Sequence, residues 1–333
     1  MQTIRNLGCR VRFLVAVAVL VLTCCTPSHA WCASSNLWVG FVAQDGIESY
    51  TSKQLKKSGM PTPLYLSTYG TASGLAFDKS QDLWEVAEED EVVEFTPAQL
   101  KNLKKDPNPT PGVIITSTAT YGQLSGCNFD HQGNLWVTNP SNSAIFELSK
   151  AQLDAGSGEV TPPVVITSPA MDGSLFVTFD AAGDAWLPSQ FDNKVLEFSA
   201  SQLTSSGSKS PTVVLSDDGS GTSLYYPEEL AFDKNGNLWV PNYFSDTVVE
   251  YAKDQLTTTG NPAPAVKLSS AIFNGPWGLA FNPKGSLAIV NYRDGAIAVF
   301  TDKQIKTTGA PIPKVSLTGT HDENFQTVFG PAS

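Results

Sequence analysis

One unit repeated six times, at a spacing near 50 residues, limits what this chain can fold into more than its composition does. The clearest copy is Leu230 to Tyr251, LAFDKNGNLWVPNYFSDTVVEY. It reads as an apolar strand, a tight turn, a second strand, a polar loop and a third strand. Asp233-Lys234-Asn235-Gly236-Asn237 is the turn, because Asn and Gly accept the positive φ that a hairpin needs. Leu238-Trp239-Val240 and Val248-Val249-Glu250-Tyr251 carry the bulky, β-branched and aromatic residues of strands.

The second-strand Trp marks the copies as Trp38, Trp84, Trp136, Trp186 and Trp239, with Ala288 in its place in the sixth. The intervals are 46, 52, 50, 53 and 49 residues. A second marker counts the same way: Gln54, Gln99, Gln152, Gln202, Gln255 and Gln304, each followed by Leu or Ile. After each comes a Gly/Pro/Ser/Thr-rich loop and a short apolar strand, such as Val113-Ile114-Ile115. The Gln segments read as single helical turns that Pro and Gly prevent from growing. Four short strands per period of this length is the pattern of a propeller blade. The expected fold is all-β: a six-bladed β-propeller of four-stranded antiparallel blades over residues 31–333.

The inner strands carry a recurring Phe at Phe77, Phe129, Phe179, Phe232 and Phe281. Alternation puts each Phe and the residue two before it on one blade face, packed on a neighbouring blade. The Trp residues are expected to fill the wider space further out. The first copy starts at its second strand, Asn36-Leu37-Trp38-Val39, so its inner strand must come from elsewhere. Phe329-Gly330-Pro331-Ala332-Ser333 resembles the run Phe273 to Gly278 that leads into the sixth inner strand. The expectation is ring closure by pairing of the two chain ends, through a closing strand of only a few residues.

Residues 1–30 differ from the rest. Arg5, Arg10 and Arg12 precede an unbroken apolar run from Phe13 to Leu22, and Ser28-His29-Ala30 offers a cleavage site. This reads as a secretory signal, too short to span a membrane. The competing reading is a lipoprotein signal with Cys24 or Cys25 acylated. Both imply export to a periplasmic or extracellular place. Without residues 1–30, 18 basic side chains face 32 acidic ones, a net charge of −14. That disfavours nucleic acid and anionic membranes as partners. Cys32 and Cys127 remain, two blades apart, and no disulfide is expected between them. Cys127 reads as a small buried apolar residue.

Loops between blades and loops between second and third strands open on one face, over the channel, where loops from all blades converge. They offer Tyr121, Asp172, Tyr225, Tyr226, Glu228, Glu229, Trp277, His321, Asp322 and Glu323. They also offer Glu88, Glu89, Asp90, Asp192, Tyr243, Asp246, Tyr292, Arg293 and Asp294. Asn139, Asn242 and Asn291 end second strands and read as turn residues bonding their own backbone. His131 reads as a solvated turn residue. Carboxylates around Asn128 in the channel are the one arrangement suited to Ca²⁺ or another divalent cation, which takes oxygen ligands. No cofactor is otherwise expected. No nucleophile elbow, zinc spacing, phosphate loop or Cys/His pair is present.

The pattern apolar-apolar-Phe-Asp, Gly-Asn-Leu-Trp-Val, polar loop, Val-Val-Glu-Phe resembles the NHL-repeat family of six-bladed propellers. It covers nearly all of residues 34–333 and is strongest in the third, fifth and sixth copies. The Trp-Asp strand ends of WD repeats are absent. The resemblance implies an interaction scaffold. Structural relatives of that family include gluconolactonase/regucalcin hydrolases, which hold a divalent metal by Glu, Asn and Asp, and streptogramin B lyases, which use channel His and Glu. Glu229 and Asn128 stand at comparable heights here, but Gly, Phe and Ala occupy the other positions, and no inner strand carries His.

The expected function is therefore binding of a protein, peptide or small molecule by an exported monomer. Its candidate ligand residues are Tyr225, Tyr226, Glu229, Trp277, His321 and Tyr292. The alternative is a metal-dependent hydrolase or lyase in the same channel, with Glu229 and Asn128 as metal ligands and His321 and Glu229 as acid/base candidates.

Overall fold

The computed structural model describes residues 36–41, 46–68, 72–87, 91–117, 122–318 and 324–330. The signal segment, Cys32, Glu88 to Asp90, Tyr121 and His321 to Glu323 lie outside these. The described residues form six sheets arranged as a ring of blades. From inner to outer, the strands of blade one are Asn324–Gly330, Asn36–Phe41, Gly46–Tyr50 and Leu64–Ser67. Blade two has Gly74–Phe77, Leu83–Ala87, Glu91–Phe95 and Val113–Ser117. Blade three has Cys127–Phe129, Leu135–Asn139, Ala144–Leu148 and Val165–Thr167. Blade four has Thr178–Phe179, Ala185–Ser189, Lys194–Phe198 and Val213–Ser216. Blade five has Ala231–Phe232, Leu238–Asn242, Thr247–Tyr251 and Val266–Leu268. Blade six has Pro276–Phe281, Leu287–Asn291, Ile297–Phe300 and Val315–Leu317.

Each marker of the repeat has a mechanical task. The Trp of one blade meets the Phe of the next, mostly edge to face: Trp38 with Phe77 at 5.7 Å, Trp186 with Phe232 at 6.0 Å, Trp239 with Phe281 at 5.9 Å. Such pairs contribute about 0.5–1.5 kcal/mol beyond the area they bury. Six apolar clusters result, each shared by two consecutive blades, and the one joining blade six to blade one closes the ring. The Asp after the Phe ties the turn: Asp233 Oδ1 accepts from the backbone N–H of Asn235 and Asn237 at 2.8 and 3.0 Å. Asp130 and Asp180 also accept from the indoles of Trp136 and Trp186. Each Gln Oε1 accepts from the backbone N–H three residues before it, and at Gln99 and Gln152 this completes a capping box. Gln152 Oε1 accepts from Ser149 N, its Nε2 donates to Thr161 O, and the Leu153 beside it is buried.

Two expectations need correction. The closing strand is longer and earlier than the terminal match suggested. Asn324–Gly330 pairs antiparallel with Asn36–Phe41, Phe329 opposite Leu37. Phe329 is thus the recurring Phe of blade one, equivalent to Phe281 opposite Leu287. The match to Phe273–Gly278 compared residues at different heights. Nor are all blades four-stranded. The loop after each Gln turn reaches back to the preceding blade. Ser58, Ser157, Ser206, Thr259 and Thr308 accept there from outer-strand N–H groups at 3.0–3.1 Å. Beyond Ser157 and Ser206 the chain adds a fifth strand in parallel, Gly158–Val160 on blade two and Gly207–Ser208 on blade three. These latches pair edges that otherwise invite aggregation.

Inner edges are capped by side chains. Gln326 Oε1 accepts from Leu75 N at 2.8 Å and Cys127 N at 3.3 Å, and its Nε2 donates to Cys127 O. Glu229 Oε2 accepts from Leu279 N at 3.0 Å and Thr327 N at 3.1 Å. One Gln from blade one and one Glu from blade five thereby link blades one, two, three, five and six near the axis. Cys127 is buried and carries a free thiol.

Candidate functional site

The inter-blade face is built by a second set of repeated contacts. The turns after the second strands of blades three to six each hold one residue at positive φ: Ser143, Asn193, Asp246 and Gly295, at 48°, 55°, 50° and 63°. Short polar side chains and Gly tolerate that conformation. Asn193 Oδ1 then accepts from Tyr226 N at 2.8 Å, and Asp246 Oδ1 from Gly275 N at 2.7 Å. These two turns so hold the loops entering blades five and six. The Asn residues ending second strands help. Asn242 Oδ1 accepts from Tyr225 N, its Nδ2 donates to Ser223 O, and Asn291 Nδ2 donates to Ile272 O. They fasten the incoming loops rather than bonding their own backbone, which corrects the turn reading for these two.

The bonds to Tyr226 N and Gly275 N fall six residues before the recurring Phe, where the backbone is left-handed in three blades. Gly173, Tyr226 and Gly275 have φ of 69°, 60° and 64°. Two blades use Gly; blade five uses Tyr, at a cost of about 1–2 kcal/mol for a residue with a Cβ. Strain of this kind is kept where the surroundings enforce it, and it gathers at binding and catalytic sites.

Tyr226 stands in the middle of an aromatic cluster over blades four, five and six. Its ring lies 5.7 Å from Phe191, 5.8 Å from Tyr243 and 4.8 Å from Phe244. Tyr225 is 5.5 Å from Phe244. Tyr243 continues the chain to Trp277 at 5.4 Å and Tyr292 at 5.9 Å, and Trp277 stacks on Tyr292 at 4.6 Å. The Arg293 guanidinium lies 4.4 Å above the Tyr243 ring, with Nη1 3.5 Å from Asp246 Oδ1. Trp277 is buried, while Phe191, Phe244 and Tyr225 are exposed by 60%, 49% and 44%. Three large rings open to water in one patch is the mark of a contact surface.

The known proteins similar to this one are similar in architecture. No known family pattern matches the sequence, and no curated protein matches it. A protein of unknown function from Bacteroides caccae superposes with a TM-score of 0.60 at 11% identity, over 90% of this chain and 99% of that one. A chain from a nidogen/laminin complex superposes with a TM-score of 0.58 at 11% identity, again over 90% and 99%. A streptogramin B lyase gives 0.46 at 14% identity, over 75% of this chain and 74% of its own. The likeness is one of fold. The chain is a six-bladed β-propeller, and at 11–14% identity these neighbours share its fold alone.

Of the residues singled out from the sequence, Tyr225, Tyr226, Trp277 and Tyr292 fall in this one cluster. Glu229 does not. It is buried at the axis, and burial pushes its carboxyl well above the usual range, offset in part by the N–H groups of Leu279 and Thr327 and by Gln326. Asn128 Oδ1 accepts from the Phe129 N–H at 2.9 Å. Among the described residues, no three His, Cys, Asp or Glu side chains converge as a metal site. His321 lies outside the described residues. Glu228 is buried and accepts from Gln190 Nε2. Burial pushes its carboxyl well above the usual range. Burial, then Glu228 and Tyr243, also raises the Tyr226 phenol. The cluster therefore carries little ionisable chemistry and much apolar area. Phe191 and Phe244 were missed in the sequence, because both sit in polar turns, Gln190-Phe191-Asp192-Asn193 and Tyr243-Phe244-Ser245-Asp246.

Proposed function

We propose that this chain is an exported binding protein that takes a partner on the aromatic face of blades four to six. Export is supported by the charged and apolar pattern of residues 1–30. Binding is supported above all by Tyr226, an aromatic residue kept in a left-handed position that neighbouring blades give to Gly173 and Gly275. Selection for stability alone would favour Gly there, since Gly carries no Cβ penalty. Its ring instead holds Phe191 and Phe244 in place, and those two rings remain open to water. Exposed aromatic side chains held by a half-buried ring such as Tyr226 are the kind of residue that binding hot spots are enriched in.

The test is a double variant, Phe191→Ser with Phe244→Ser, compared with the wild type on immobilised peptide and glycan arrays. Both side chains are largely exposed, so circular dichroism and melting temperature should be nearly unchanged. The wild type should retain one class of ligand and the variant should lose it by about tenfold or more. Equal retention by both proteins, or none by the wild type, would show that this face is not the binding surface.

A further inference from the structure

The exposed rings are not set in neutral surroundings. Phe191 lies between Asp192, its chain neighbour, and the loop of Asp172, whose carbonyl accepts from Phe191 N. Asp172 is exposed, and Asp192 is about 40% exposed with Lys194 at 3.1 Å. Phe244 packs on Tyr225, whose loop begins with Asp217 and Asp218. Burial of Asp217 is outweighed by the N–H groups of Gly219, Gly221 and Leu224 and the Ser223 hydroxyl, which hold its carboxyl down at about 2. It is therefore an anion at any working pH.

The chain also shows what such a surface accepts. Arg293 lays its guanidinium over Tyr243 and sets Nη1 near Asp246 and Nη2 3.4 Å from the Tyr243 carbonyl. One arginine thus already fits between a ring and a carboxylate of this same face. Phe191 has Asp192 next to it in the chain and Phe244 has Asp246 two residues on, and among the described residues neither of these two exposed rings has a cation laid over it as Tyr243 has. The rings pack edge to face at 4.8 to 5.7 Å and form a ridge rather than a cage, which suits an extended chain better than a small enclosed ligand.

We propose that the ridge of Phe191, Tyr226 and Phe244 binds an arginine-bearing segment of a basic polypeptide. The guanidinium groups lie on the rings and pair with the carboxylates beside them. Arginine suits this better than lysine, because its planar, weakly hydrated cation stacks on rings while keeping its donors free for carboxylates. The excess of 32 acidic over 21 basic side chains works the same way at longer range, speeding encounter with a cationic partner. This rests on the reading of the face as a binding surface.

The experiment measures binding of the protein to a labelled peptide of alternating arginine and serine. Its counterparts carry lysine or the neutral isostere citrulline in place of arginine. The arginine peptide should bind about tenfold tighter than the citrulline peptide, and more tightly than the lysine peptide. Its affinity should fall as salt is raised. Phe191→Ser with Phe244→Ser should remove most of the preference for arginine over lysine. Asp172→Asn with Asp192→Asn should flatten the salt dependence. A citrulline peptide that binds equally well, an arginine preference that survives loss of the rings, or no binding of the arginine peptide each overturns the proposal. The array comparison separates this from failure of the binding reading. A neutral ligand lost with the rings keeps the surface and overturns the arginine partner. No ligand lost with the rings overturns both.

Discussion

Glu85 occupies a buried position that the other five blades give to Val39, Val137, Leu187, Val240 and Ile289. Burial pushes its carboxyl from 4.5 up to about 8. The Thr68 side chain offsets part of this without reaching either oxygen at hydrogen-bond geometry. The folded chain therefore keeps a proton that the unfolded chain gives up. Stability is intact below about pH 4.5, falls as pH rises, and levels off above about pH 8. Each pH unit in that window costs about 1.4 kcal/mol, so the whole window costs about 5 kcal/mol. Glu85→Gln removes the ionisation at nearly constant shape. Urea denaturation of both proteins at pH 5 and pH 8 measures the effect. The wild type should lose about 4 kcal/mol more than the variant between those two pH values. Glu228, Glu229 and Glu197 are shifted upward too, Glu197 to about 7 by burial and by Asp184 and Asp180. They are common to both proteins and cancel in the difference. Parallel pH dependences in the two proteins would refute the claim that the Glu85 carboxyl is protonated in the folded core.

Two further predictions concern the ring itself. Gln326→Ala strips buried partners from Leu75 N, Cys127 N and Cys127 O, and should cost on the order of 3 kcal/mol, read as a lower urea midpoint. An unchanged midpoint would mean that the inner edges need no strap. Gln152→Ala breaks one capping box and should cost about 1 kcal/mol, a shift of a few degrees or less in Tm. A loss as large as that of Gln326→Ala would show that the outer turns carry more of the ring than their single helical turn suggests.

Most of the ring was legible because each marker does one mechanical job in nearly every blade. Trp and Phe interlock, Asp ties the hairpin, Gln caps the outer turn, and the period follows from their spacing. The closing strand was obscured for the same reason. Gln326-Thr327-Val328-Phe329 carries Gln where Gly74, Gly126 and Gly278 stand, and Gly330 where the turn Asp stands. Its hairpin partner lies at the other end of the chain, so no local turn is needed and no turn residue marks it. The latches were hidden because Ser or Thr before Gly looks like ordinary loop composition. Tyr225, Tyr226, Trp277 and Tyr292 were visible as aromatic residues in loops. Their union with Phe191 and Phe244 was not, because it depends on the left-handed backbone at Tyr226, which shows only once Gly173 and Gly275 are seen to hold equivalent positions.

The departures from the repeat fall into two groups, and the difference between them locates function. Glu229 and Gln326 replace inner-strand Gly near the axis, and both bond backbone N–H groups of other blades. Their side chains are engaged by backbone groups of other blades, so the fold alone accounts for both substitutions. Tyr226 also replaces Gly, but it satisfies no buried group; it strains its own backbone and supports rings that water still reaches. A substitution that repairs the fold needs no ligand to explain it. One that costs stability and exposes apolar surface does. On that ground the binding surface we propose lies off the axis, on the rim of blades four and five, where a partner would approach from the loop side rather than through the channel.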